Sequence, residues 1–250
     1  MPAADAAGEP TDGLRILPVR GLGEVRPGDD LADLVVAALA PARPGAPALA
    51  PGDVLVVTQK IVSKAEGRLV PIDPDDPAAK TPIVEGESVR ILRRRGDLLI
   101  SETRHGFICA NAGVDLSNVE SGTAALLPID PDRSARRLRA DLGRRLAVEV
   151  GVIVSDTFGR PWRRGVTDVA IGCAGVAAVI DLRGTPDATG RELVATEVCV
   201  ADELASAAEL VMGKDRSVPV AIVRGVPAEW LRPGSVTGEI VRTSGEDLFR

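Results

Sequence analysis

The sequence is very poor in aromatic side chains: its 250 residues include no tyrosine, three phenylalanines and two tryptophans. Proteins that bind RNA or single-stranded DNA commonly stack the bases on such rings. The formal net charge of -6 and a pI near 5.0 also disfavour binding to a phosphate backbone. The sequence therefore predicts a protein with no nucleic-acid partner, although small anionic ligands are compatible with its local arginine clusters.

Histidine and cysteine are scarce as well. His105 is the only histidine, which excludes a metal site built from several imidazoles, and we interpret it as structural. Cys109, Cys173 and Cys199 lack CxxC spacing, so neither a disulfide framework nor a zinc site is indicated. Cys109 lies in an apolar run with no evident base beside it, which indicates a core residue and disfavours a cysteine hydrolase.

Long apolar runs are absent too. No run approaches the roughly 20 residues that a membrane-spanning helix needs, and the opening MPAADAAGEPTDG lacks the basic start and apolar core of a signal peptide. The sequence therefore predicts a cytoplasmic protein with no membrane contact. We expect a disordered lead over residues 1–13, a domain over residues 14–245 and a short tail over residues 246–250.

The apolar content of 45% can supply a sizeable core. Short apolar, β-branched runs predict strands, namely Leu14–Val19, Asp53–Thr58, Val148–Val154, Val176–Leu182 and Val218–Val223. Apolar stripes at helical spacing predict helices, namely one capped by Asp29 or Asp30, one across Asp132–Val148 and one across Asp202–Met212. We expect a connector at Pro41–Pro51 and a loop at Leu69–Pro82. Strands and helices mix without regular alternation, which indicates an α+β fold.

Two stretches, Glu102–Asn118 and Val152–Gly165, each place an aspartate after an apolar strand-like run among small residues. Neither Asp115 nor Asp156 has a neighbouring cation in the sequence, and carboxylates are the oxygen ligands that Mg²⁺ and Mn²⁺ prefer. Magnesium commonly takes only one or two carboxylates, and Thr157 could add a hydroxyl oxygen. The alternative is that each aspartate caps a helix or anchors a turn.

Two lysines, Lys60 and Lys64, follow the predicted strand Asp53–Thr58. An ammonium group there could meet a phosphate as a compact point charge. The alternative is the start of a helix whose lysines point into solvent. The chain contains no GxxxxGK[ST] string, and Gly21–Gly23 lacks the third glycine of a dinucleotide fingerprint. Any nucleotide must therefore be bound in another way.

Three arginines, Arg160, Arg163 and Arg164, lie between glycines beside Trp162. Guanidinium groups bind carboxylates and phosphates with two parallel hydrogen bonds, so we assign these residues to an anionic substrate from their chemistry alone. The alternative is a surface turn with Trp162 packed into the core.

Four segments, taken in order, resemble the coenzyme F420-0:gamma-glutamyl ligase family. They are Gly21–Leu31, Thr58–Arg68, Glu102–Asn118 and Val152–Gly165, and the resemblance extends from about residue 17 to residue 226. It implies the α+β fold of that family, with two intertwined subdomains, and a homodimer whose groove holds the nucleotide.

The resemblance also implies an activity. Such ligases use GTP and Mg²⁺ or Mn²⁺, with K⁺ as a further candidate cation, to join L-glutamate to the terminal carboxylate of F420-0 through an acyl phosphate. Further glutamates are then linked through their γ-carboxylates. Carried over by motif, the metal ligands are Asp115, Asp156 and Thr157, and the catalytic residues are Asp115, Asp156 and Lys64. The nucleotide-binding positions are Leu22, Gly23, Glu24, Val25, Gln59, Lys64, Asn118 and Lys214.

Two departures from the family pattern bear on these expectations. Many members have glutamine where this chain has Lys214, and a cation there would repel a metal or contact a phosphate instead. In actinobacterial members a nitroreductase-like domain follows a segment resembling Glu246–Arg250, so here that domain is expected to be a separate protein or to have been removed. Two other functions stay open: a noncatalytic nucleotide or F420 carrier, and a carboxylate–amine ligase with another acceptor.

Overall fold

The computed structural model describes residues 13–40 and 45–247. The strands are β1 (Arg15–Val19), β2 (Val54–Thr58), β3 (Leu69–Pro71), β4 (Ser88–Arg95), β5 (Leu98–Thr103), β6 (Ile108–Ala110), β7 (Thr123–Ala125), β8 (Gly151–Arg160), β9 (Arg163–Ala174), β10 (Ile180–Asp181), β11 (Glu197–Val198) and β12 (Val220–Arg224). The helices are α1 (Leu31–Ala38), α2 (Gln59–Ala65), α3 (Lys80–Glu87), α4 (Pro131–Leu146), α5 (Val200–Met212) and α6 (Val236–Glu239), with short 3-10 turns at Asn111–Gly113 and Ala228–Trp230.

A five-stranded sheet forms the centre of the protein, in the order β1-β12-β2-β8-β9. Strands β2 and β8 run parallel, and the other neighbours are antiparallel. Strands β2 and β12 and the first half of β8 consist mainly of buried valine, isoleucine, leucine and alanine residues, as central strands require. Most of the hydrophobic core lies against this sheet.

Helix α4 packs on β8 and β9, and α5 packs on β9 and β12. Asp130 caps α4 by accepting a hydrogen bond from the Arg133 N–H at 2.8 Å, and Pro131 occupies the first turn. The helix approaches the sheet so closely that a Cβ at Gly172 would lie 2.3 Å from the carbonyl carbon of Pro131. Only glycine therefore fits at this position of β9.

Strands β4, β5 and β6 form a three-stranded sheet, and β3 pairs with β7. A second, smaller hydrophobic cluster belongs to this region, and it consists of Val84, Leu99, Ala112, Val114, Ala124 and Leu126. The larger and smaller clusters give the α+β chain two centres of packing. The division into intertwined subdomains stays a prediction.

The structure confirms the mixed α+β class and the predicted strands near β1, β2, β8 and β12, together with helices α1, α4 and α5. Three expectations were wrong. The segment Leu69–Pro82 contains β3 and the start of α3, because β3 finds a partner in β7. The run Val176–Leu182 forms only the two-residue β10, and Asp156 lies within β8, whose pairing with β9 continues to Arg160.

The predicted lead, apart from Gly13, lies outside the described residues, as do residues 41–44 of the connector and 248–250 of the tail. Residues 46–50 of the connector have no regular secondary structure. Within the described parts of the chain, no helix combines the length and the apolar character needed to cross a bilayer.

Candidate functional site

A cleft of about 880 Å³ lies at one end of the central sheet, where β2 leads into α2 and where α5 ends. It brings together residues that are far apart in the sequence. Of the predicted site residues, those that line the cleft are Leu22, Gly23, Glu24, Val25, Lys64, Asp115, Asn118, Asp156, Thr157 and Lys214.

Strands β8 and β9 supply one wall of the cleft. Thr157 pairs directly with Asp168 across the two strands, and the register shifts just before Ser155. The Thr157 hydroxyl donates to Oδ1 of Asp168 at 2.6 Å, and the Ser155 hydroxyl donates to Oδ2 at 2.9 Å. Along β8, Asp156 therefore lies between Ser155 and Thr157, whose hydroxyl groups both donate to the buried carboxylate of Asp168.

The carboxyl group of Asp156 has a pKa raised from 3.8 to about 7. Burial is the main cause, and the negative charges of Asp168 and Asp115 add to it, while the Thr157 N–H and the Lys214 ammonium act in the opposite direction. A cation bound beside Asp156 would relieve this accumulation of negative charge.

Asp115 reaches the cleft from a tight turn after β6. Asn111, Ala112 and Gly113 have φ values of 53°, 51° and 71°, in the left-handed region. The Asn111 side chain holds the turn by accepting a hydrogen bond from the Leu99 N–H at 3.0 Å. The backbone of Asp115 then exchanges two hydrogen bonds with Ala125. These contacts fix the direction in which the Asp115 side chain projects from the backbone.

The Asp115 carboxylate is not free of cations, contrary to the impression given by the sequence. The Lys60 ammonium lies 2.9 Å from its Oδ2 and also donates to the Ser117 hydroxyl at 2.8 Å. Burial acts to raise the pKa of Asp115, but Lys60 and Ser117 together hold the pKa below its usual range. Asp115 is therefore an anion already paired with an ammonium group that any bound metal would have to displace or share.

The two lysines of α2 therefore lie inside the cleft and not in solvent, so the alternative of a solvated helix start was wrong. Lys64 is 8% exposed, and its ammonium lies 2.5 Å from Oε1 of Glu24. This ion pair ties the segment around Glu24 to α2. Across the cleft, the Asn118 side chain donates to the carbonyl oxygen of Lys214 at 3.3 Å, joining the Asp115 loop to the end of α5.

Six acidic and four basic side chains line the cleft, so its formal charge is negative even before a phosphate enters. Within the described residues, no three histidine, cysteine, aspartate or glutamate side chains converge on one metal position. The candidate metal-ligating groups are the carboxylates of Asp115 and Asp156 and the hydroxyl oxygen of Thr157. This all-oxygen set fits a hard divalent cation that completes its shell with water and phosphate oxygens.

Some predicted residues do not line the cleft. Gln59 is 1% exposed and accepts a hydrogen bond from the Ser63 hydroxyl at 2.7 Å, while its Nε2 is buried with no partner in the described structure. Arg160, Arg163 and Arg164 lie at the exposed tip of the β8–β9 hairpin. The structure does not bring these arginines together with the carboxylates, and their substrate role stays a prediction.

Trp162 is 88% exposed at the same tip, so packing into the core was the wrong alternative for it. The interpretation of His105 as structural agrees with its surroundings, because its ring stacks on Phe107 and its Nε2 faces the carbonyl oxygen of Pro128 at 2.9 Å. The cysteines are free thiols, and Cys109 is buried as expected.

Sequence reasoning missed three acidic residues of the cleft, Glu120, Asp168 and Glu209. Asp168 lies in the run VTDVAIG, where it shares the buried face of β9 with Ala170. A lone charged residue on the apolar side of an alternating strand was the signal that could have identified it. Glu209 lies in α5, and its pKa is raised by burial and by Asp168.

The fold and the cleft together define an α+β protein whose carboxylates and ammonium groups face one polar cavity. The family model for F420-0:gamma-glutamyl ligase matches residues 21–225, and the chain belongs to this family. It is 43% identical to the coenzyme F420:L-glutamate ligase of Methanothermobacter thermautotrophicus, over 95% of this chain and 99% of that protein. It is 45% identical to the protein of the same name from Methanopyrus kandleri, over 95% of this chain and 98% of that protein. The corresponding Archaeoglobus fulgidus protein is 38% identical over 95% and 96%.

Proposed function

We propose that this protein is a GTP-dependent ligase that joins L-glutamate to the carboxylate of coenzyme F420-0 and can add further γ-linked glutamates. The observation that carries the proposal is the convergence of Asp115, Asp156 and Lys64 on one cleft from three separate parts of the chain. Full-length relatives named coenzyme F420:L-glutamate ligase support the choice of substrates.

The reaction needs an activated carboxylate, because a carboxylate does not react with an amine at neutral pH until one oxygen becomes a leaving group. In the first step, an oxygen of the F420-0 carboxylate forms a bond to the γ-phosphorus of GTP, the bond to the β-phosphate oxygen breaks, and GDP leaves. In the second step, the glutamate nitrogen bonds to the acyl carbon and gives up a proton, while phosphate departs with the bonding electron pair. GTP is therefore consumed once for each amide bond.

The residues of the cleft are suited to positioning these reactants. The ammonium groups of Lys64 and Lys60 lie in the cleft, where Glu24 holds the first and Asp115 the second. Each ammonium group can turn toward a phosphate oxygen. Asp115, Asp156 and Thr157 would hold Mg²⁺ or Mn²⁺, which when bound neutralises the charge of the phosphates during transfer. Catalysis then consists mainly of orientation and electrostatic stabilisation.

The negative formal charge of the cleft supports dependence on a divalent cation. A nucleoside triphosphate is itself a polyanion, and it would be repelled by a cleft with more carboxylates than ammonium groups. Lys214 lies at the end of α5 and its charge reaches Asp156. We therefore expect Lys214 to contact a phosphate oxygen and thereby to take the position that glutamine has in many relatives.

The experiment that tests the proposal is incubation of the protein with GTP, Mg²⁺ or Mn²⁺, L-glutamate and F420-0. We expect GDP and a product heavier by one glutamate residue, detected by mass spectrometry. Asp156→Asn should abolish turnover, because an amide is a poor ligand for a hard cation. Asp97→Asn is the matched control, since Asp97 is exposed and lies outside the cleft.

Each competing function predicts a different result. A noncatalytic carrier would bind GTP or F420-0 without forming GDP. A ligase with another acceptor would form GDP only when a different carboxylic acid replaces F420-0, which a panel of carboxylic acids would show. Absence of both GDP and the mass gain with F420-0 refutes the proposed activity.

A further inference from the structure

Asp168 is an unusual carboxylate because it is buried and no cationic side chain among the described residues bonds to it. It is 3% exposed, and within the described residues its recorded side-chain contacts are the hydroxyl groups of Ser155 and Thr157. Burial of an ionised carboxylate is costly unless charges or strong hydrogen bonds compensate it. The presence of a buried carboxylate in β9, at the side of the cleft, is therefore not explained by packing alone.

The hydrogen bond between Thr157 and Asp168 restricts what the threonine hydroxyl can do. A hydroxyl group has one proton and two lone pairs. The Thr157 hydroxyl donates its proton to Oδ1 of Asp168, with 2.6 Å between the two oxygen atoms. The Thr157 oxygen can therefore present only lone pairs to the cleft that it lines. It can accept from a donor or bind a cation, but it cannot donate to a phosphate oxygen.

We propose that Asp168 is the positioning residue that fixes the Thr157 hydroxyl as a lone-pair donor to the divalent cation, an inference that rests on the proposed function. The Ser155 hydroxyl holds the second carboxylate oxygen at 2.9 Å, so the carboxylate cannot rotate away from Thr157. The direct pairing of Thr157 with Asp168 in the β8–β9 ladder keeps both residues in register. Partners that orient the direct ligands of a metal commonly change metal affinity or activity about 10- to 100-fold when they are replaced.

A purely structural role for Asp168 predicts something else. If the carboxylate only links β8 to β9, the amide of Asp168→Asn can still accept one hydroxyl proton, and cation binding should be unaffected. If Asp168 directs Thr157, the amide group is free to turn its N–H toward the threonine. The Thr157 proton would then point into the cleft and oppose a cation.

The test is a titration of the full chain with Mn²⁺ in the absence of nucleotide, in which the free Mn²⁺ is measured by electron paramagnetic resonance. Asp168→Asn should weaken Mn²⁺ binding at least about tenfold, and Thr157→Val should weaken it as well. Because Asp168 acts through Thr157, adding Asp168→Asn to Thr157→Val should cause little further loss. Asp202→Asn is the matched control, since Asp202 packs against the same strand through the Ala170 N–H but lies outside the cleft.

Wild-type affinity in Asp168→Asn would overturn the inference, and so would a double variant in which the two losses multiply. Thermal unfolding without metal shows whether each variant is folded. If Asp168→Asn is less stable, the Mn²⁺ affinity of the double variant is compared with that of Thr157→Val, and this comparison still tests whether Asp168 acts through Thr157. A wild-type chain that binds no Mn²⁺ overturns the inference together with the metal dependence of the proposed function, and the wild-type titration alone reveals that case. A wild-type chain that binds Mn²⁺ but forms no product refutes only the proposed activity.

Discussion

Replacing Asp156 by asparagine should remove the carboxylate that we propose as catalytic and at the same time make the metal-free protein more stable at neutral pH. In the folded protein the pKa of Asp156 is raised from 3.8 to about 7, chiefly by burial and further by Asp168 and Asp115. A carboxyl group whose pKa is raised on folding favours the folded state only in its protonated form. The folded protein therefore loses stability as the pH rises from about 4 to about 7.

The size of this loss follows from the shift. Each pKa unit corresponds to about 1.4 kcal/mol, so ionisation of Asp156 costs the folded state about 4 kcal/mol above pH 7. Asparagine does not ionise and escapes this cost. The stability difference between Asp156→Asn and the wild type should therefore widen by about 3 kcal/mol between pH 5 and pH 8.

The assay is urea-induced unfolding of both proteins in a chelating buffer at pH 5 and pH 8. Asp181→Asn provides the control, because Arg183 lowers the pKa of Asp181 to about 2 and both folded and unfolded forms are ionised throughout this range. Its stability difference from the wild type should be the same at both pH values. A constant difference for Asp156→Asn would refute the reasoning and would mean that Asp156 is well solvated in the folded protein.

Three further perturbations test other parts of the structure. Asp132→Ala should lower the free energy of unfolding by about 3 kcal/mol in a urea titration, because three backbone N–H groups and one hydroxyl lose their acceptor; a loss below 1 kcal/mol would contradict this. Lys60→Gln should strengthen Mn²⁺ binding in calorimetry, since it removes the ammonium 2.9 Å from Asp115; unchanged affinity would mean that Lys60 does not compete with the metal. Gly172→Ala should severely impair folding, as judged by circular dichroism, because its Cβ would meet the α4 backbone.

Much of the central sheet was accessible from sequence because its strands carry their own signal. The runs that form β2, β8 and β12 are short, apolar and β-branched, and the helices α1 and α4 have aspartate caps and apolar stripes. The smaller sheets lacked such signals. Strand β4 is rich in arginine, and β3 spans three residues whose pairing with β7 comes from contacts distant in sequence.

The candidate site divides in the same way. Asp156 and Lys64 could be placed near a ligand because they follow the apolar start of β8 and the end of β2. The ion pair between Asp115 and Lys60 joins residues that are 55 positions apart, and no local sequence pattern predicts it. Asp168 was overlooked because its own strand, β9, was not predicted. Without the register of β9 against β8, its carboxylate cannot be paired with Thr157.

The departures from local structural rules collect around the cleft. Ala112 has a left-handed backbone, which costs a residue with a side chain about 1–2 kcal/mol, and it lies three residues before Asp115. The β8–β9 register shifts just before Ser155. Asp168 is buried without a cation in the described structure. Each departure weakens the fold locally, and each also determines where a cleft oxygen points. Stability alone would not retain all three, so their coincidence around the cleft supports the proposal that the ligand binds there.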